Sequence, residues 1–132
     1  MKAVVVVLRL APSETHRFSE AVRLCGGLAA GGLDVTVMFE GPAVLALDER
    51  AQEDRGSEIS EALGLLAQVG LRICYDPGEA RTYGVRVAGS PATDALDRSR
   101  MREILEQAPG RIVFDARDEA GPGTAAGPAA WS

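Results

Sequence analysis

The chain is poor in the residues from which most recognisable sites are built. It holds two cysteines, one histidine, one tryptophan and one lysine, and only 5% of its residues are aromatic. With a formal charge of −5, no basic stripe and few rings for base stacking, a nucleic-acid partner is not expected. Cys25 and Cys74 stand too far apart for a CxxC redox or zinc pattern, and His16 alone beside them leaves a Cys/His metal site short of ligands. No apolar run approaches the roughly 18 residues that a membrane span needs, so no membrane partner is expected either. The run Ala3-Val4-Val5-Val6-Val7-Leu8 after Met1-Lys2 looks superficially like a signal-peptide core. It is short and β-branched, Arg9 interrupts it, and no small-residue cleavage pattern follows. It reads as a strand, which makes the cytoplasm the expected compartment, with both thiols free and reduced.

What is present describes an ordinary globular chain, 46% hydrophobic and 25% charged, with a length that suits one domain and a single core. Thirteen of its fourteen basic residues are Arg, which reflects a GC-rich coding genome more than a function. Residues 4–8 form a continuous apolar run typical of a strand covered on both faces. Ala11-Pro12-Ser13 breaks it, and Ser13 is placed to cap the next helix. There Phe18, Ala21, Val22, Cys25, Leu28 and Ala29 recur at helical spacing until Gly31-Gly32. Residues 33–39 are the second strand, followed by Glu40-Gly41-Pro42 and a short apolar segment, 43–47. The densely charged stretch 48–57 reads as a solvated loop. Residues 58–69 form a helix with Ile59, Ala62, Leu63, Leu66 and Ala67 on its inner face. Residues 84–88 suggest a fourth strand and 94–107 a helix with Leu96, Met101, Ile104 and Leu105 turned inward. Residues 111–115 are the closing strand. This alternation predicts a single-domain three-layer α/β/α fold with a mostly parallel five-stranded sheet over residues 1–117. Residues 118–132, rich in Gly, Pro and Ala and carrying Trp131, read as a flexible tail.

The informative stretch is Gly70-Leu71-Arg72-Ile73-Cys74-Tyr75-Asp76-Pro77-Gly78-Glu79-Ala80. Residues 71–74 read as a short buried strand. Asp76 as N-cap, Pro77 in the first turn and Glu79 three residues after the cap open a helix. Cys74 is thereby expected near the carboxyl edge of the sheet, where ligands and reacting groups collect in open α/β folds. The start of a helix favours thiolate, whereas Asp76 and Glu79 oppose it. Cys25, on the apolar stripe of the first helix, reads as a packing residue. His16, in that helix's first turn, reads as solvated.

Nucleotide motifs do not assemble. Gly26-Gly27 and Gly31-Gly32 lie within and after a helix, and the turn after the first strand is Arg9-Leu10-Ala11-Pro12-Ser13, without the dinucleotide glycines. That turn also lacks the acidic residues with which a phosphoreceiver domain holds a divalent cation, and Ser13 and Thr15 only faintly echo a flavodoxin loop. No phosphate pattern of the universal-stress type forms around Gly89-Ser90.

Four blocks in order carry a resemblance. Residues 32–41, Gly-Leu-Asp-Val-Thr-Val-Met-Phe-Glu-Gly, precede the short apolar segment 43–47. Leu65-Leu66-Ala67-Gln68-Val69-Gly70-Leu71-Arg72-Ile73-Cys74 forms a helix–Gly–strand–Cys block. Tyr83-Gly84-Val85 makes a small step after the next helix, and Ile104 to Ala108 with Arg111-Ile112-Val113-Phe114 closes the chain. Over residues 2–115 the sequence resembles the DsrE/DsrF-like sulfur-relay family, which includes the TusD-type sulfurtransferase subunits. The resemblance implies a DsrE-like fold in which Cys74 accepts sulfane sulfur as a persulfide and relays it to a partner thiol, without metal or organic cofactor. It also implies a homo-oligomer, trimer or hexamer, with sulfur donor and acceptor proteins as partners. A pocket around Cys74 is then expected from Arg9, Leu10, Pro12, Glu40, Gly41, Tyr75, Asp76 and Gly78. Asp76-Pro77-Gly78-Glu79 is more acidic and rigid than the small-residue run of active members, and some members lack the cysteine. The alternative is a non-catalytic interaction subunit or small-ligand-binding module on the same fold.

Overall fold

A computed structural model describes residues 2–53 and 57–115; the expected tail 118–132 with Trp131 lies outside the described residues. Five parallel strands form one sheet in the order β4-β3-β2-β1-β5, with β1 Ala3–Leu8, β2 Asp34–Phe39, β3 Arg72–Tyr75, β4 Asp94–Ala95 and β5 Gly110–Phe114. Helices α1 (Thr15–Ala30) and α2 (Glu58–Val69) cover one face, and α4 (Arg98–Gln107) the other, after the short α3 (Pro77–Thr82). The fold is therefore a parallel three-layer α/β/α sandwich.

Side chains alternate across each strand, so the sheet separates two apolar layers. Val6, Leu8, Val35, Val37, Phe39 and Ile73 meet Phe18, Ala21, Val22 and Cys25 of α1 and Ile59, Ala62, Leu63 and Leu66 of α2. Phe18 and Phe39 stack at a tilt, with centroids 6.2 Å apart. On the other face Val5, Val7, Met38 and Cys74 pack beneath Met101, flanked by Leu96, Ile104 and Leu105. The first layer is roofed by two helices and the second by one.

Several local expectations are corrected. Glu14, not Ser13, is the residue before α1, and it makes no side-chain cap; Thr15 Oγ1 instead donates to the Pro12 carbonyl at 3.2 Å. Ala67 is exposed, while half-buried Leu65 lies under Gly26 of α1. The charged stretch after residue 47 is not simply solvated: Glu49–Gln52 forms a 3-10 turn capped by Asp48, which is only 4% exposed. Asp48 accepts from Arg50 Nε at 3.0 Å and Nη2 at 2.7 Å, and from the Arg50 amide at 2.8 Å.

Residues 84–88 are not the fourth strand. Gly84, at φ +66°, turns the chain in the left-handed region after α3. The Val85 amide then bonds back to Ala80, Ala88 bonds to Leu47, and Val87 bridges antiparallel to Asp48. The place beside β3 goes to Asp94 and Ala95, so the helix expected from residue 94 begins at Arg98, with Asp97 Oδ1 capping the Arg100 amide at 2.8 Å.

Candidate functional site

At the carboxyl edge of the sheet a cleft of about 200 Å³ opens between the strand ends and α4. Arg9 follows β1, Glu40 follows β2, Asp76 follows β3 and Glu79 sits in α3; Arg98, Met101, Arg102 and Leu105 come from one face of α4. The spacing of these four positions is helical, which places both guanidinium groups on the side of α4 that also carries the apolar Met101 and Leu105.

Backbone amides fix two of the carboxylates. Asp76 caps α3 by accepting from the Gly78 amide at 2.8 Å. Glu79 does not complete the expected reciprocal cap; its Oε2 accepts from the Gly41 amide at 3.1 Å, tying α3 to the turn after β2. Arg9 is held by Glu40 at 3.0 Å and reaches Asp115 at 3.7 Å. Arg98, with its side chain 69% exposed, lies more loosely between Glu79 at 3.5 Å and Asp76 at 3.7 Å. Arg102 has no carboxylate partner among the described residues.

Cys74 lies below this cleft, not in it. It is interior to β3, pairs with Met38 and Asp94, and is fully buried in the layer under Met101. Its sulfur lies 3.8 Å from the Val37 carbonyl. Burial pushes the thiol up to about 11, outweighing the opposite pull of Arg72, while Asp94 and Glu40 raise it further. The helix start expected to favour thiolate follows Tyr75, one residue beyond. Cys25 is also fully buried, in the α1 layer, and burial pushes it up to about 12. His16 is exposed near Glu20 and Glu58.

The expected pocket set divides. Arg9, Glu40 and Asp76 line the cleft, and Gly41 and Gly78 serve it through the amides that hold Glu79 and Asp76. Leu10 and Tyr75 belong to the opposite layer, because alternation sends them to the face of α1 and α2, and Pro12 does not line the cleft. Glu79, Arg98, Met101, Arg102 and Leu105 complete it; the signal for the α4 contribution was the Arg98/Arg102 and Met101/Leu105 spacing of four. Among the described residues no group of three His, Cys, Asp or Glu is placed to hold a metal ion, and no helix is long and apolar enough to cross a membrane.

No family model and no curated protein matches the chain. Solved structures do. The ychN protein from E. coli superposes with a TM-score of 0.74 at 17% identity, covering 86% of this chain and 100% of that one. A protein of unknown function, MTH1491 from Methanobacterium thermoautotrophicum, gives a TM-score of 0.58 at 17% identity, covering 86% and 98%. At such identity the likeness is one of architecture, and it agrees with the strand order and layers described above: the chain has a DsrE-like α/β fold.

Proposed function

We propose that this protein is a small-ligand-binding module on the DsrE-like fold, taking its ligand in the carboxyl-edge cleft, with Cys74 serving to pack the sheet. The observation that carries this reading is the separation of the two features. The charged side chains converge on an open cleft, whereas the thiol lies fully buried beneath Met101. Ligands of open parallel sheets bind at this edge, so the position suits the role. The test is an amide-resonance titration with a panel of small charged and neutral metabolites. Saturable shifts centred on Gly41, Gly78 and residues 98–105 support the reading; no saturable shift at those positions with any compound overturns it.

A second reading keeps Cys74 as a sulfur carrier in the cytoplasm, within a homo-oligomer served by donor and acceptor proteins. The DsrE-like architecture favours it, together with the membership of Cys74 in the same buried cluster as the cleft-lining Met101. Displacement of Met101 would connect the thiol to the cleft. The Cys74 thiolate would attack the outer sulfur of a donor persulfide, the S–S bond would break, and the donor would leave as thiolate. Intact mass after exposure to a persulfide donor separates the readings. A reductant-labile gain of one sulfur in the wild type but not in Cys74→Ser establishes the carrier; no gain in either supports the binding module. Light scattering of the full chain tests the expected trimer or hexamer.

A further inference from the structure

Resting on the binding reading, we infer that the ligand presents a tetrahedral oxyanion, a phosphate or sulfate-type group, gripped between Arg98 and Arg102. The two arginines stand four apart on α4, so their Cβ atoms are one turn distant, about 5–6 Å. Two planar guanidinium groups at that spacing suit an oxyanion that accepts from both.

The charges in the cleft differ in how far they are committed. Arg9 is held by Glu40 at 3.0 Å. Asp76 and Glu79 are mostly buried, and each already accepts from a backbone amide, Gly78 and Gly41, and faces Arg98. The arginines of α4 are the least committed of these charges. Arg102 lines the cleft with no carboxylate partner among the described residues. Arg98 holds its two carboxylates only at 3.5 and 3.7 Å, and both keep their amide donors if it swings away. Each guanidinium has five N–H donors, so an oxyanion finds several exposed donors on this side of the cleft. Met101 and Leu105 on the same helix face offer a small apolar surface to the ligand's body.

The experiment titrates the full chain with sodium phosphate and, separately, sodium sulfate, against sodium chloride at matched ionic strength, following amide resonances. Saturable shifts over residues 98–102 and at Gly78, absent with chloride, are expected. Arg102→Gln and Arg98→Gln, both exposed and checked for folding by circular dichroism, should each weaken binding about tenfold, the loss of a charge-assisted contact. Phosphate and sulfate behaving alike support recognition of the oxyanion itself; one binding alone supports a site selective for that oxyanion. A response equal to that of chloride, or unchanged in Arg102→Gln, overturns the inference. Uncharged and cationic small molecules are run in parallel. If one of them shifts the cleft resonances while the oxyanions do not, the binding reading survives and the oxyanion assignment falls. If nothing shifts them, both fall.

Discussion

Alkylation of Cys74 in the native protein measures whether this thiol is available for chemistry. Burial raises it from 9.0 to about 11. At pH 7 the thiolate fraction therefore falls from about one in a hundred to about one in ten thousand, so ionisation alone slows reaction about a hundredfold. Full burial in the layer that includes Met101 adds a steric barrier, while the greater nucleophilicity of a higher-pKa thiolate offsets part of the ionisation factor. The assay is the iodoacetamide rate by intact mass and site mapping, with the urea-unfolded chain as reference. Native Cys74 should react about a hundred times more slowly at pH 7. The gap should narrow as pH climbs past 9.0, where the unfolded reference becomes fully ionised; what persists near pH 11 measures the steric part. Cys25, pushed up to about 12, should be slower still. A native Cys74 rate within tenfold of the unfolded chain at pH 7 would refute the burial argument and favour the carrier reading.

Three further outcomes follow from the packing. Arg50 holds the Asp48 carboxyl well below the usual carboxylate range, chiefly through side-chain hydrogen bonds, so its contribution is present above about pH 4 and is lost as pH falls through the folded value. Asp48→Asn should cost about 2 kcal/mol at pH 7 and flatten the acid limb of a urea-melt series; an unchanged limb would sink the assignment. Both thiols are raised by folding, so their contribution is present below 9.0 and is lost as pH rises through about 11 and 12; the double alanine variant should show a shallower alkaline limb. Gly27 in α1 and Gly64 in α2 are exposed helical glycines with nothing within 4 Å of an added Cβ, so Gly27→Ala and Gly64→Ala should each stabilise by about 0.5–1 kcal/mol; a lower melting temperature would contradict this.

The elements that read clearly from sequence are those with a strong period: the β-branched run of β1, the stripe of α1, and α2, whose bounds emerge as expected between Ser57 and Gly70. Misreadings occur where tertiary hydrogen bonding overrides a local pattern. Val85 and Val87 alternate as in a strand, yet the segment bonds to Leu47 and Glu49, not to β3. Asp94 and Asp97 are equally good caps on paper, and only the two-residue pairing with β3 selects Asp97. The same holds for the site. Arg9, Glu40 and Asp76 were legible because they follow strands at the carboxyl edge. Leu10 and Tyr75 occupy similar positions but alternate to the other face. The α4 side of the cleft required knowing which way that helix lies across the sheet.

That one helix governs both candidate chemistries. Its Met101 belongs to the buried cluster that holds Cys74, and its Arg98 and Arg102 line the cleft, so the cover over that layer and the shape of the cleft depend on the same packing of α4. Arg98 fastens the start of α4 to the turn after β3, through long contacts from an exposed side chain, and such pairs add little to stability. The apolar layer of Met101, Ile104 and Leu105 is left as the main restraint on α4. Arg98→Gln should therefore accelerate Cys74 alkylation by no more than about fivefold, the most a surface ion pair contributes. A much larger acceleration would make Arg98 a latch that holds α4 closed. Ligand capture at Arg98 would then also uncover the thiol, and the binding and carrier readings would describe two steps of one device.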